Sequence, residues 1–377
     1  MSHRKVLIIG GGIGGFATAT AIRQAGFEVT LIERQNDLHS SIFGVGIIQP
    51  INALRALEAI GCAEACIEAG YPATAWGTMY DVEGDFLRDI HGTPIEGTEL
   101  PPMNGLTRPK LHRILTEKAI EAGVEVRYDT SFEDLVEHED RVTVRFAGGA
   151  TEDFDLVVGA DGVGSAVRRH VLDEVLKPVY IGQSAYRVNI PLLPGIDRII
   201  LQEGPEGMAG FVPIGKDLAY FFYNAAMERD ERPQGADLHA SLMRHLAPFG
   251  GLTAEVRDHH IPEDADIVLR PEESMIAPAP WHRGRIVLIG DAVHAVTPHL
   301  GQGAAQAIED GVVLAECLKA HEDHSAAFEE YTERRYERCK LIVETCVDIS
   351  QWELGKLPDF DNVAATAHVL KEMAKPL

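Results

Sequence analysis

Two glycine-rich turns, one near each end of the 377-residue chain, each follow a buried apolar run and open a helical pattern. In the first, "VLIIGGGIGGFATATAIRQAGFEVTLIER" (residues 6–34), Gly10, Gly12 and Gly15 stand at G-x-G-x-x-G spacing. Gly10 permits a tight turn, Gly12 lets a pyrophosphate approach the backbone, and Gly15 lets the helix pack on its strand. Together with Ile13 and Gly14 they present the unpaired N–H groups of a helix start to an anion. Glu33, with Arg34 beside it, ends the next strand. A carboxylate there accepts both hydroxyl hydrogens of an adenosine ribose and repels a 2′-phosphate, so the ligand reads as FAD or NAD. The plainer alternative is a glycine turn that packs and binds nothing.

The second turn separates the two ligands. In "GRIVLIGDAVHAVTPHLGQGAAQAIEDG" (residues 284–311) Asp291 sits where a buried strand stops, and Gly301, Gln302 and Gly303 precede a helix starting near Ala304. A second bare helix N-terminus suits a ring that becomes negative on reduction, an end-on effect of about 1–2 kcal/mol when partly buried. A reduced isoalloxazine is such a ring, and Asp291 is placed to hold the hydroxyls of a ribityl chain. One FAD stretched over both turns accounts for the pair.

These residues need a scaffold that brings both ends of the chain together. Residues 6–9 and 28–32 read as buried parallel strands around a helix at 14–25, a βαβ unit. Helices are expected at 52–60 and over "RPKLHRILTEKAIEAG", and short strands at "VEVRY", "RVTVRF" and "FDLVVGADG". From 179 to 270 the pattern changes to strands separated by Gly and Pro, with one helical stretch, "ADLHASLMRHLAPFG". "GRIVLIGDA" restores the buried strand, and two helices follow at roughly 303–319 and 325–350. The expected class is therefore α/β. A Rossmann-like FAD-binding domain is assembled from 1–72, 100–178 and 271–377 and ends in C-terminal helices; residues 73–99 and 179–270 form an inserted β-sheet substrate domain.

The 58 acidic against 34 basic side chains leave a formal charge of −24, which repels nucleic acid and anionic membrane and favours a small-molecule partner. Five cysteines without C-x-x-C spacing read as ordinary thiols of a reducing compartment, and the cytoplasm is the expected location. The N-terminal apolar run breaks at three glycines, which fits a βαβ unit and not a cleavable leader. "DHH" (258–260) and "HEDH" (321–324) lack a complete ligand set, so no metal is expected.

"GGGIGG" with Glu33, "DLVVGADGVGSAVRR" (155–169) and the 284–310 segment together resemble the single-component FAD-dependent aromatic hydroxylases, typified by para-hydroxybenzoate and salicylate hydroxylases. The likeness covers nearly the whole chain. It implies the para-hydroxybenzoate hydroxylase-like fold, FAD as cofactor, NADH or NADPH as electron donor, and O₂ added to the flavin as a C4a-hydroperoxide that attacks a phenol-like or heteroaromatic ring. It also implies that Arg108 and Asp161 touch the flavin. Asp161 also reads as a helix N-cap ahead of "GVGSAVRR", and capping and binding are compatible. The resemblance leaves room for a homodimer. Two positions depart from it: Ala305 stands where para-hydroxybenzoate hydroxylase has an asparagine, and Gly44 where that enzyme has an arginine.

For the substrate side, His299 precedes the flavin glycines by two positions and matches a histidine of salicylate hydroxylase-like members, which makes it the candidate base; the alternative is a locally bonded loop histidine. His294 reads as structural. In "LAYFFYNA", Tyr220 and Phe222 share one strand face and Phe221 and Tyr223 the other. The resemblance favours the Tyr220 face as catalytic and substrate-binding. Phe211 and Pro298 join the expected pocket, and Arg187 could steer a carboxylate or form a surface ion pair. Two rival functions stand: a flavin reductase of the same fold, and a nucleotide-sensing module without turnover. A halogenase is excluded because Trp76, Trp281 and Trp352 are too isolated to form its W-x-W-x-I-P stretch.

Overall fold

Runs of β-branched and aliphatic residues with no polar face make strands that must be covered on both sides, and they do so here. The computed structural model describes residues 4–36, 45–173, 175–231 and 233–377, so Gly44 lies outside the described residues. Six strands form one sheet in the spatial order His282–Arg283, Ile286–Leu288, Leu156–Gly159, Lys5–Ile9, Glu28–Ile32, Glu125–Arg127. All neighbours are parallel except the edge hairpin 282–288. The helix Ile13–Gln24 packs on this sheet because Gly15 carries no side chain: a Cβ there would lie 1.9 Å from the Gly10 carbonyl oxygen. The helix Gly303–Ala320 lies against Ile13–Gln24, and the contact is tight at Gly311, where a Cβ would stand 2.5 Å from Thr18 Oγ1.

The second sheet has eight strands in the order His294–Ala295, Val268–Ile276, Val179–Pro191, Leu218–Ala226, Gly207–Pro213, Ile199–Gly204, Gly77–Tyr80, Phe86–Ile90. Its register sets its two faces. Tyr220 pairs with Asn189 and Val212, and Phe222 with Arg187 and Gly210, so these residues share one face. Phe221 and Tyr223 point the other way, into a core with Tyr186, Phe211, Leu242 and Phe249 under the helices Ala236–Leu246 and Gly251–His259. The two sheets approach through the strands Gly46–Pro50 and Met103–Thr107, and Gly105 is so close to the Pro213 carbonyl that a Cβ would sit 1.8 Å from its oxygen.

Two helices exceed the sequence expectation. Gly251–His259 is short and opens on glycines, so no apolar period announces it. Asn362–Ala374 follows a turn-rich segment and is capped by Asp361, whose carboxylate accepts from the Ala364 N–H. The helix His324–Glu353 runs on past the expected 350, which carries Glu353 to its last turn. All five cysteines are free and buried. Among the described residues no helix is long and apolar enough to cross a membrane.

Candidate functional site

A cavity of ≈ 410 Å³ runs between the two sheets at the carboxyl ends of the parallel strands and touches both glycine turns. That size suits small-molecule sites. Gly12, Ile13 and Gly14 line it from the first turn, and Gly301, Gly303 and Ala304 from the second. Both helices begin with no side-chain cap, so their free N–H groups are left for a ligand. At Gly12 a Cβ would meet nothing within 4 Å; the protein does not require glycine there, and the space it leaves suits a closely approaching pyrophosphate.

Arg108 and Asp291 face the middle of the cavity, open to it yet deep inside the molecule. Burial raises the Asp291 carboxyl above its ordinary value, while His294 and Arg108 pull it down. Burial likewise lowers Arg108, against the attraction of Asp291. Glu33 lies outside this cavity at the end of its strand, held by hydrogen bonds from the N–H groups of Gly11 (2.7 Å) and Gln35 (2.8 Å), and Arg34 beside it is exposed.

Asp161, Gln302, Gly15 and Phe211, all expected at the ligand, do not line the cavity. Asp161 caps the following turn, accepting from Ser165 Oγ (2.5 Å), Ala166 N (2.6 Å) and Val167 N (3.1 Å), and its neighbours Ala160 and Gly162 line the cavity instead. The Gln302 side chain is fully buried and turned to Asn52 and Gln306. Gly15 packs helix on strand, the role its spacing predicts, and lies off the cavity lining. Phe211 lies on the opposite face of its sheet, 5.1 Å from the Phe221 ring, because it alternates with Gly210.

Behind the second turn is a buried ionic cluster. Arg335 donates to Asp310 (2.8 Å), Glu309 (2.6 Å) and Gln306 (2.6 Å), while Arg338 and Asn52 also bind Glu309. Asp310 accepts from the Gly290 N–H (2.8 Å) and pairs with His294 (2.6 Å), which places His294 in the structural role expected for it. Burial works against the Asp310 charge, but His294 and Arg335 outweigh it and hold its carboxyl at about 2. The cluster thereby fixes the backbone around Asp291 and the start of the Gly303–Ala320 helix. His294, Asp310 and Cys339 come within 4.8 Å of one another, but the Arg335 guanidinium already neutralises Asp310.

At the substrate end Tyr220 and Phe222 line the cavity with ring centroids 5.7 Å apart, among Trp76, Ile90, Ile199 and Met208. Burial raises the Tyr220 hydroxyl and Arg187 lowers it. Arg187 lines the cavity and forms no hydrogen bond or ion pair with another described residue, which removes the surface ion-pair alternative.

His299 is placed differently from expectation. Pro298 and His299 border the cavity, but the His299 side chain is 0% exposed and turned into a polar cluster. Gln183 donates to Glu353 Oε2 (2.8 Å), so its own Oε1 faces His299 Nε2 at 3.1 Å and accepts from it. Thr297 Oγ1 meets Nδ1 at 2.9 Å. Glu353 (3.5 Å) and Glu272 (3.6 Å) flank the ring; burial opposes its charge, but the two carboxylates outweigh burial and raise its pKa. Glu272 is itself raised by burial, and neither of its oxygens has a hydrogen-bond partner.

One continuous space joining two uncapped helix N-termini to an aromatic face has the form of a site for a long dinucleotide and a second small molecule, and a family description, FAD binding domain, matches residues 3–346. The chain belongs to that family. Among the relatives of this flavoprotein, the aurachin C monooxygenase/isomerase of Stigmatella aurantiaca is 32% identical over 359 residues, covering 92% of this chain and 90% of that one. The 6-hydroxynicotinate 3-monooxygenase of Pseudomonas fluorescens is 31% identical over 364 residues, covering 90% and 89%. The HpxO protein of Klebsiella pneumoniae, solved with FAD and uric acid, superposes with a TM-score of 0.85 at 23% identity, covering 99% and 93% of the two chains. The flavoprotein is an FAD-dependent monooxygenase with the fold of the aromatic hydroxylases.

Sequence reasoning missed Asn224, Glu272 and Glu353 in this flavoprotein. Asn224 was accessible in principle, since it continues the 220, 222 alternation on the same strand face. Glu272 lies where the pairing between Val179–Pro191 and Val268–Ile276 shifts register, so strand periodicity does not orient it. Glu353 reaches the cavity only because a thirty-residue helix ends there.

Proposed function

We propose that this flavoprotein hydroxylates a phenol-like aromatic or heteroaromatic small molecule, with NADH or NADPH as electron donor and O₂ as the oxygen source. The observation that carries the reading is the shared cavity, which sets the aromatic face of Tyr220 and Phe222 and the unpaired Arg187 against the glycine turn at 301–303. Bound FAD, reduced by NAD(P)H, supplies the activated oxygen. Gly12 and Gly14 would leave room for its pyrophosphate, Arg108 and Asp291 would hold its middle, and the N–H groups at Gly303 and Ala304 would favour negative charge at its ring.

The chain's own side chains prepare the substrate. Tyr220 and Phe222 fix the ring by packing, and the apolar wall excludes water. A phenol ordinarily ionises near 10, and the Arg187 charge in this buried setting favours the ionised oxygen, which makes the ring carbons more nucleophilic. The His299 ring does not open onto the cavity, so it acts on the substrate side only through the groups around it. The reading is supported by relatives that are named as monooxygenases of hydroxylated aromatic rings.

The test is oxygen incorporation. Purified protein should carry yellow FAD, oxidise NADH or NADPH faster when a suitable phenol or hydroxy-heteroaromatic is added, and transfer one atom of ¹⁸O₂ into the product. Stimulated NAD(P)H oxidation with no label in any product would replace hydroxylation by a reductase activity. FAD binding with no turnover would favour the sensing module.

A further inference from the structure

The substrate end of the cavity holds two charged side chains of opposite sign, and only Arg187 has a part in the function proposed above. Arg187 is a pure donor without a partner among the described residues. Glu353 lines the same cavity, its side chain only 5% exposed, and it stands at the C-terminal turn of its helix. A carboxylate at the negative end of a helix is unfavourable to the helix, and the contacts that offset this cost all fall on one of its two oxygens. Its Oε2 accepts from Gln183 (2.8 Å) and Asn224 (3.3 Å) and faces His299 at 3.5 Å, whereas its Oε1 receives no hydrogen bond from any described residue.

That arrangement aims one acceptor into the cavity. The amide groups of Gln183 and Asn224 must turn their N–H₂ ends towards the carboxylate, since a carboxylate oxygen accepts and cannot donate. They thereby lock Glu353 with Oε2 inward and Oε1 available. Arg187 and Asn224 emerge from the same sheet face, Arg187 opposite Phe222 and Asn224 opposite Ala185, so the donor and the acceptor carboxylate converge on one end of the ring that Phe222 and Tyr220 would hold.

We propose that Glu353 is a specificity-determining residue of this site: it takes a hydrogen bond from an N–H or O–H donor on the substrate ring, next to the oxo, oxide or carboxylate oxygen that Arg187 holds. The substrate class is an aromatic ring carrying both groups, and a ring bearing an acidic oxygen alone leaves Glu353 unpaired and is repelled by it. This rests on the reading of the cavity as an aromatic substrate site. A partner lost from a buried carboxylate is costly, so deleting the ligand's donor should weaken binding about tenfold or more.

The experiment is a binding comparison on the FAD-loaded protein, read from flavin difference spectra and checked by calorimetry, with two matched pairs: quinolin-2(1H)-one against its N-methyl derivative, and 2-hydroxybenzoate against 2-methoxybenzoate. The wild type should prefer the donor-bearing member of at least one pair by about tenfold or more. In Glu353→Gln the amide oxygen must take the inward position to receive Gln183 and Asn224, which turns the N–H₂ into the cavity and replaces an acceptor by a donor. The preference should therefore fall below about threefold. Arg187→Leu should weaken both members of a pair alike and leave the ratio standing. Flavin content and melting temperature confirm that each variant is folded. A wild type that discriminates neither pair, or a ratio unchanged in Glu353→Gln, overturns the role of Glu353 while leaving the aromatic site intact. A wild type that binds no member of either pair overturns both.

Discussion

Replacing Arg335 by Met tests whether the ionic cluster behind the second turn holds the flavin site together. The Arg335 side chain is 1% exposed, and Glu309 and Asp310 are 0% exposed. Met fills a similar volume but strands part of two buried carboxylates. Glu309 keeps Arg338 and Asn52, and Asp310 keeps His294 and the Gly290 N–H. Breaking a buried pair from one side typically costs about 3–5 kcal/mol. With an unfolding entropy of roughly 2.1 cal/mol/K per residue, a chain of this length loses about 0.8 kcal/mol per degree, so the melting temperature at neutral pH should fall by about 4–6 °C. FAD affinity should fall as well, because Asp310 anchors the backbone that presents Asp291. The gap between the two proteins should also narrow in acid. The Asp310 carboxyl, held at about 2, contributes stability above its unfolded value near 3.9 that is lost as pH falls through its folded value. Scanning calorimetry across pH with a parallel FAD titration reads all three effects. A melting temperature within about 1 °C of wild type at neutral pH, or a gap that widens in acid, would refute the reasoning.

Gly12→Ala and Gly15→Ala should separate ligand from fold. The first adds a Cβ into open space, so the apoprotein should melt nearly as wild type while FAD binding by fluorescence quenching weakens about tenfold or more; the second drives a Cβ to 1.9 Å from the Gly10 oxygen and should destabilise the apoprotein itself. Equal effects on both properties would count against Gly12 as a pyrophosphate position. Glu272→Gln should flatten the alkaline side of the stability profile. Glu272 has a raised pKa, so its contribution is present in acid and lost as pH rises past its unfolded value. His299 is also raised, so its contribution is full below about 6.5 and lost as pH climbs through its folded value. Removing the Glu272 charge should make the variant more stable than wild type at about pH 9, and parallel melting curves from pH 6 to 9 would exclude this coupling.

Much of the architecture was legible along the chain because its causes are local. A strand buried on both faces must be apolar throughout, as 6–9 and 28–32 are. A turn that brings a helix onto its strand needs glycine where side chains would collide, as at Gly15. The cofactor followed from two bare helix starts and the acidic residues at two strand ends, all features of a few consecutive residues. Alternation also separated Tyr220 and Phe222 from Phe221 and Tyr223.

What the chain alone left open was which neighbour each side chain meets. Alternation assigns two faces to a strand but does not say which face borders the cavity, and Phe211 was placed on the wrong one. A glycine-rich turn fixes a backbone path, but the Gln302 and His299 side chains turned to partners contributed by Asn52 and by Gln183, far away in sequence. Asp161 was drawn to the nearest unpaired N–H groups, which the following turn supplies. Glu353 has no local signature at all: a helix C-terminus delivers it, and two amides from the eight-stranded sheet orient it. Backbone conformation and burial pattern are properties of short segments, so the sequence alone determined the fold class and the flavin. Side-chain direction depends on hydrogen-bond partners that only the packed molecule brings within reach, and so tertiary structure decided which groups face the substrate.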